Sequence, residues 1–215
     1  MRKKLILLTI VFTAIFSFGV SAQFDVGVDI FSSYVWRGTK FGAGPAMQPW
    51  VEFSTGGFSI GAWGSYCFSM NEAMEADLYA SYSFDMAKSS SLSFTVTDYY
   101  LPDAPWFNDE SHFFEPMASV GVGSFSFTAA YMIGAEETEV SDIYLEAGLS
   151  LGSVNLTLGA GDGMYTSDEK FNVCNIGIGT SKDISITDTF SLPVSGAVIL
   201  NPSKEVFYVV VGISL

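Results

Sequence analysis

The chain has 215 residues, of which 49% are hydrophobic and 15% are aromatic. It carries 9 Lys and Arg against 23 Asp and Glu, and this net charge of −14 excludes the basic surface that nucleic-acid binding requires. High acidity together with high hydrophobicity is unusual for a water-soluble protein, so we expect an acidic surface in water and an apolar surface in another medium. The length favours a single domain.

The first 22 residues have the composition of an export signal. "MRKK" is a basic start, "LILLTIVFTAIFSFGV" is an apolar stretch, and "VSA" before Gln23 fits a cleavage site. The alternative is a membrane-anchoring first helix, although the apolar run is short for a span and a strand pattern follows at once. Residues 1–22 are therefore predicted to be a signal peptide. No later apolar run is long enough for a transmembrane helix.

Apolar and polar residues alternate with a period of two through the rest of the chain, which predicts β-strands. In "FDVGVDIFSSYVWRG", residues 24–38, one face carries Phe24, Val26 and Ile30, whereas the other carries Asp25 and Asp29. The same alternation recurs in "FSIGAWGSYCF", "EADLYASYSFDM", "IYLEAGLSL" and "EVFYVVVGISL". About twelve strands of about nine to eleven residues are predicted, the length that crosses a bilayer at a tilt.

The connectors between these strands alternate in length. "GTKFGAGPA", "LPDAPWFNDES" and "GAEETEVS" are long and mostly polar or acidic, while the connectors between them are short, such as Gly-Gly or Gly-Ser. This asymmetry is typical of bacterial outer-membrane barrels. The apolar faces are too bulky to fill one lumen, so they are predicted to meet lipid, where open sheet edges are not tolerated. The sequence therefore predicts that residues 23–215 form an all-β, transmembrane, antiparallel up-and-down β-barrel.

Motifs in the first strands resemble the TorF family of exported bacterial porins. The resemblance lies in "S-x-Y-V-x-R-G", then "P-A-x-Q" and "G-x-W", and continues in "EADLYASYSF" and "TDYYLP", so that it is strongest over residues 32–102. It implies an outer-membrane barrel of about twelve strands that forms a pore. The family supplies no catalytic residue that could be transferred to this chain.

Strand parity predicts which charged side chains face the lumen. One is a cation, Arg37, for which two interpretations stay open: an ion-selective constriction, or a salt bridge that braces the wall. The carboxylates are interpreted either as an acidic ring that favours cations or as solvated wall residues. The predicted lumenal charges are Asp25, Asp29, Arg37, Glu52, Asp77, Glu115 and Glu146.

Aromatic residues at strand ends are predicted to form interface girdles, as in other membrane barrels. Four of them are assigned to this girdle, at the ends of the first and third apolar faces: Tyr34, Trp36, Tyr66 and Phe68. Cys67 and Cys174 lie far apart in sequence and are expected to be free thiols, since a metal site would need more ligands than these and the single histidine, His112.

Two weaker site hypotheses concern the connectors. "SHFFE" supplies Ser111, His112 and Glu115, but consecutive strand residues point to opposite faces, so a hydrolase is not favoured. The acidic loops could bind divalent cations or could simply form a solvated rim. Their acidic residues are Asp103, Asp109, Glu110, Glu136, Glu137 and Glu139.

These observations predict a passive, cation-preferring channel for small solutes in the cell outer membrane of a Gram-negative-type bacterium. The alternatives are a closed or plugged barrel with a structural or adhesive role and, with less support, a lipid-modifying enzyme. No cofactor, metal or nucleic acid is predicted as a partner. The expected partners are outer-membrane lipid, small solutes or cations, periplasmic chaperones and the barrel-assembly machinery.

Overall fold

The fold is seen in a computed structural model, which describes residues 22–102, 105–107, 111–134 and 140–215. Residues 1–21 of the predicted signal peptide lie outside these ranges. The strands are β1 (Ala22–Phe31), β2 (Tyr34–Trp36), β3 (Thr39–Phe41), β4 (Ala46–Thr55), β5 (Phe58–Cys67), β6 (Glu72–Ala87), β7 (Ser90–Tyr100), β8 (His112–Val122), β9 (Phe125–Ile133), β10 (Ser141–Leu151), β11 (Val154–Gly163), β12 (Glu169–Thr187), β13 (Phe190–Asn201) and β14 (Val206–Ser214).

Twelve of the described strands form one closed antiparallel barrel, as the alternation predicted. Each strand pairs with its neighbours in sequence, and β1 closes the barrel by pairing with both β4 and β14. The remaining two strands, β2 and β3, pair only with each other and form a separate sheet. No helix within the described ranges is both long and apolar enough to cross a membrane.

The two ends of the barrel differ in the length of their connectors. One end has two-residue turns at 56–57, 88–89, 123–124, 152–153 and 188–189, and the other end has the longer connectors, beginning with 32–45. Positive φ angles at Gly56, Gly123 and Gly152 fit the first residue of tight hairpin turns. The predicted alternation of connector length is confirmed.

The outer face of the barrel is apolar and the inner face is mostly polar. Large side chains such as Phe24, Val26 and Val209 are 68%, 72% and 61% exposed on the outside. On the inside, small polar groups bond to each other, as do the hydroxyls of Ser119 and Thr128, 2.8 Å apart. Because closure leaves no unpaired sheet edge, this distribution suits a barrel surrounded by lipid.

This distribution of faces gives a stability prediction. Val209→Arg is expected to lower the free energy of unfolding in lipid vesicles by about 2–4 kcal/mol, since the charge would enter the apolar band. Val120 on β8 is another outward position in the register, so Val120→Arg should lower the free energy of unfolding by a similar amount. Ser119→Arg, the neighbouring inward position, is the control and should cost much less. Equal losses at positions 119 and 120 would contradict the assignment of faces.

Candidate functional site: a hairpin inside the barrel

The first connector folds back into the barrel as a β-hairpin, here called the lumenal hairpin (residues 34–41). Its strands pair Tyr34 with Phe41 and Trp36 with Thr39, which leaves Arg37 and Gly38 as a two-residue turn. Both turn residues have positive φ, 49° and 77°, which is the signature of a type I′ turn. The chain alternates as one strand through Trp36, but β1 ends at Phe31, so the predicted first strand was too long.

The tip of the lumenal hairpin is held by an ion pair. The Arg37 guanidinium donates from Nη1 and Nη2 to the two Glu115 oxygens, at 2.5 and 2.9 Å. Nη1 also bonds the Tyr165 hydroxyl at 2.8 Å. The side chains of Arg37 and Glu115 are only 8% and 1% exposed, so each charge depends on the other for compensation.

Aromatic rings enclose the same guanidinium. Its central carbon lies 4.3 Å from the ring centroids of both Trp36 and Tyr144 and 5.6 Å from that of Tyr165. Cation–π attraction of this kind is strongest where water is excluded. Arg37 is therefore both paired and stacked, which supports the interpretation as a brace, although this brace holds a hairpin and not the barrel wall itself.

The base and edge of the lumenal hairpin are also tied to the wall. The Tyr34 hydroxyl donates to Glu75 on β6 at 3.0 Å, and the Tyr34 ring packs on Trp63 with centroids 5.4 Å apart. At the connector 202–205, the Lys204 ammonium donates to the Thr39 hydroxyl at 3.1 Å. Partial burial lowers the pKa of Lys204. These contacts hold the hairpin at several separate points along its length.

Gly38 brings the backbone of the turn against the opposite wall. A Cβ at this position would lie 2.0 Å from the carbonyl oxygen of Cys174 on β12, much closer than real atoms approach. The Gly38 carbonyl in turn accepts a bond from the amide nitrogen of Asn201, which is completely buried. No other residue type fits this contact without moving the hairpin.

The lumenal hairpin lies between two cavities. A cavity of about 530 Å³, here called the acidic cavity, is lined by residues including Tyr34, Glu75 and Asp77. A second cavity of about 380 Å³, here called the tip cavity, is lined by residues including Arg37 and Glu146. Val35, Trp36 and Ile199 line both cavities, so the hairpin separates them.

The barrel register places the predicted carboxylates on the inner face. Direct partners point to the same side of a sheet, and one row of partners links Asp25, Glu52, Gly61, Tyr79, Thr97 and Glu115 across six strands. Asp29, four residues after Asp25, and Asp77, two before Tyr79, share this face. Glu52 accepts a bond from the Tyr79 hydroxyl at 2.9 Å. Glu146 accepts bonds from the Tyr144 hydroxyl and the Asn175 amide at 2.5 and 3.2 Å.

The aromatic girdle assignment is wrong for the two residues of the first strand. Tyr34 and Trp36 lie inside the barrel because they belong to the lumenal hairpin, where Trp36 packs on Tyr99 and Tyr165. Tyr66 and Phe68 lie at the end of the barrel that has the longer connectors. Their rings are 5.9 Å apart, and Phe68 is 49% exposed. Alternation alone could not separate the two pairs, because a hairpin strand and a barrel strand share the same period.

Several residues of the site were not singled out from the sequence. Glu75, Tyr165, Asn201 and Lys204 all contact the lumenal hairpin, from positions 41 to 165 residues away from their partners in the chain. The one available signal was the placement of Glu75 on the polar face of its strand. The two cysteines are free, as expected, and the structure buries both of them. Cys174 sits where the register between β11 and β12 slips, beside Tyr144 and Tyr165.

The geometry of the described residues does not support the hydrolase hypothesis or a metal site. His112 bonds Asp98 through Nδ1 at 2.8 Å and the Trp106 carbonyl through Nε2 at 2.7 Å, so neither ring nitrogen is directed to Ser111. Within the described ranges, no three His, Cys, Asp or Glu side chains cluster as metal ligands. The hypothesis of a cation site in the acidic loops concerns residues that lie outside the described ranges: Asp103, Asp109, Glu110, Glu136, Glu137 and Glu139.

Comparison with known proteins assigns the chain to a family. Residues 19–195 match the family described as "Bacterial protein of unknown function (Gcw_chp)", and the chain belongs to that family. This match does not confirm the resemblance to the TorF family. No curated protein matches the chain.

Two solved porin structures are similar at low identity. A mutant of Rh. blastica porin is 14% identical with a TM-score of 0.41, and the match covers 79% of this chain and 55% of that one. Pseudomonas aeruginosa OprD is 13% identical with a TM-score of 0.41, and the match covers 89% of this chain and 66% of that one. The chain thus spans only part of the length of either porin.

Proposed function

We propose that this protein is an outer-membrane, porin-like channel for small solutes with a preference for cations. The observation that carries the proposal is the charge of the two cavities beside the lumenal hairpin. Glu75, Asp77 and Glu146 line them, and the one cation in their described lining, Arg37, is already paired with Glu115. Carboxylates along a water-filled passage raise the local concentration of cations and lower that of anions.

The location follows from the exterior of the barrel. A closed barrel with an apolar outer band satisfies its backbone groups in lipid, and such barrels belong to the outer membrane of Gram-negative-type bacteria. Assembly there would involve periplasmic chaperones and the barrel-assembly machinery. Fractionation should recover the protein in the outer membrane, with a gel mobility that changes on heating. Recovery from the soluble periplasm would contradict the proposal.

A second candidate function is a closed barrel with a structural or adhesive role. It is favoured by the lumenal hairpin, which is bonded to β6 through Tyr34, to β8 through Arg37 and to the connector 202–205 through Thr39. The two candidates differ in one measurable property, since only the channel conducts ions across a planar bilayer. A refolded, heat-modifiable barrel that stays silent would support the closed barrel.

The cation preference is tested by the reversal potential in a salt gradient. Wild-type channels should give the sign of a cation-selective pore, and Glu52→Gln together with Glu146→Gln should move the potential toward zero. Two charges about 4 Å apart in water interact by about 1 kcal/mol, so losing two carboxylates should change selectivity several-fold. Glu115 is left intact because it holds the hairpin.

The matched control for this experiment is Asp188→Asn, which removes one negative charge from an exposed two-residue turn. It should leave the reversal potential close to that of the wild type. Higher ionic strength should weaken the selectivity in the wild type, because charges farther apart than about 10 Å are screened at 0.1 M salt. An anion-selective wild-type channel would refute the proposal.

A further inference from the structure

The acidic cavity contains two adjacent carboxylates without a basic partner. Glu75 and Asp77 are two residues apart on the inner face of β6, and their residues are only 6% and 7% exposed. No Lys, Arg or His occurs in the described lining of this cavity. Burying two like charges side by side is unfavourable unless the two groups share a proton or a positive group compensates them, so a bound cation would stabilise the ionised pair.

Arg37, the cation in the described lining of the neighbouring tip cavity, is already paired with another carboxylate. Arg37 uses Nη1 and Nη2 for Glu115, and its other hydrogen bonds go to Tyr165 and the sulfur of Met117. Glu75 accepts a bond from the Tyr34 hydroxyl and also shares a hydrogen bond with the side chain of Asp77. The Asp77 Oδ1 atom is buried and has no hydrogen-bond partner. A buried acceptor left without a partner loses the hydration that it would have in water, so this atom is suited to receive a ligand.

Aromatic rings flank the Asp77 carboxylate on both sides. The direct cross-strand partners of Asp77 are Trp63 on β5 and Tyr99 on β7. Both rings line the acidic cavity, as do Tyr34 and Trp36 of the lumenal hairpin. A carboxylate set among aromatic faces attracts a cation through its charge and through the rings at the same time.

We propose that the acidic cavity is a binding site for an organic ammonium ion, with Asp77 as its counter-ion and Trp63, Tyr99 and the lumenal hairpin as its aromatic walls. Its volume of about 530 Å³ lies in the range of small-molecule sites. This inference deepens the proposed cation preference by naming the class of cation. Only the conduction part of its test rests on the proposed function.

The lining favours an organic cation over a metal ion. Divalent metal ions prefer six or more oxygen ligands, or a tight set of three or four side chains. The acidic cavity offers two carboxylates, the amide of Gln48 and the hydroxyls of Ser33 and Thr97. One Glu75 oxygen is already bonded to Tyr34, and the Tyr79 hydroxyl is bonded to Glu52. The remaining lining is largely aromatic and aliphatic, which suits the methyl or methylene groups of an organic ammonium ion.

The experiment is isothermal titration calorimetry of the full barrel in detergent micelles. Choline is the probe, and 3,3-dimethylbutan-1-ol, which has the same shape without the charge, is the matched neutral compound. Choline is expected to bind saturably and the alcohol at least about tenfold more weakly, since only choline has the charge that pairs with Asp77. Asp77→Asn should weaken choline binding by about tenfold or more, and Trp63→Leu should weaken it as well.

Asp188→Asn is the control variant, because it removes a charge far along the chain from the acidic cavity. It should bind choline like the wild type. Each variant is first shown to fold by its heat-modifiable gel mobility. The proposal is overturned if the folded wild type does not bind choline, if the neutral alcohol binds equally well, if Asp77→Asn binds unchanged, or if CaCl₂ competes choline off at lower concentration.

Conductance measurements distinguish the proposed binding site from the proposed channel. Wild-type channels bathed in choline chloride should carry a choline current that Asp77→Asn alters. A barrel that is silent in KCl yet binds choline in the calorimeter would refute the channel and support the site. A barrel that conducts KCl with cation preference but does not bind choline would support the channel and overturn the site.

Discussion

Arg37→Met is expected to lower the free energy of unfolding by about 3–5 kcal/mol, because it leaves the Glu115 carboxylate buried without its partner. Glu115 is 1% exposed, and the guanidinium supplies two of its hydrogen bonds. A third hydrogen bond, donated by the Tyr99 hydroxyl at 3.1 Å, cannot replace a positive charge. Denaturant unfolding of the refolded barrel, followed by tryptophan fluorescence, measures the loss.

The control is the double variant Arg37→Met with Glu115→Leu. Removing both charges leaves no unpaired ion in the interior, so the double variant should be more stable than Arg37→Met alone. Conductance gives an independent measurement of the same contact, since a hairpin without its ion pair should leave the lumen more often and raise the current. A double variant that is less stable than Arg37→Met would show that the cost of the single substitution does not come from an unpaired Glu115 charge.

Gly38→Ala is expected to displace the tip of the lumenal hairpin and to increase conductance. The added Cβ would meet the Cys174 carbonyl oxygen at 2.0 Å, and backbone on both sides cannot move aside cheaply. The φ of 77° adds strain of about 1–3 kcal/mol for a residue other than glycine. Single-channel recording and denaturant unfolding on the same preparation measure the two effects.

The matched control is Gly123→Ala, in a two-residue turn at the other end of the barrel. Gly123 also has a positive φ, 58°, but a Cβ there would meet nothing within 4 Å. Gly123→Ala should therefore add backbone strain without a steric collision. We expect a modest loss of stability and unchanged conductance. If both substitutions changed conductance equally, the contact between Gly38 and Cys174 would not be what positions the hairpin.

The lumenal hairpin also links the proposed channel to the proposed binding site. It forms the boundary between the acidic cavity and the tip cavity, and its Tyr34 and Trp36 are walls of the acidic cavity. Variants that release the tip should therefore change conductance and weaken choline binding together. Asp77→Asn should weaken choline binding while leaving the hairpin contacts of Arg37 in place.

The sequence by itself determined the barrel and the direction of its faces. A β-strand places successive side chains on opposite sides, so alternation from Phe24 onward predicted which residues line the lumen. Asp25, Glu52, Asp77, Glu115 and Glu146 lie on the inner face for that local reason. The length of the connectors predicted the two unlike ends, because two-residue turns and long loops have different compositions.

Only the tertiary structure decided what occupies the lumen. The segment from Tyr34 to Trp36 alternates like a barrel strand, and nothing local distinguishes it from β1. It turns inward because its partners lie far along the chain, with Glu115 78 residues and Tyr165 128 residues from Arg37. These long-range contacts satisfy a buried charge and buried polar groups that the outer face, in lipid, could not satisfy.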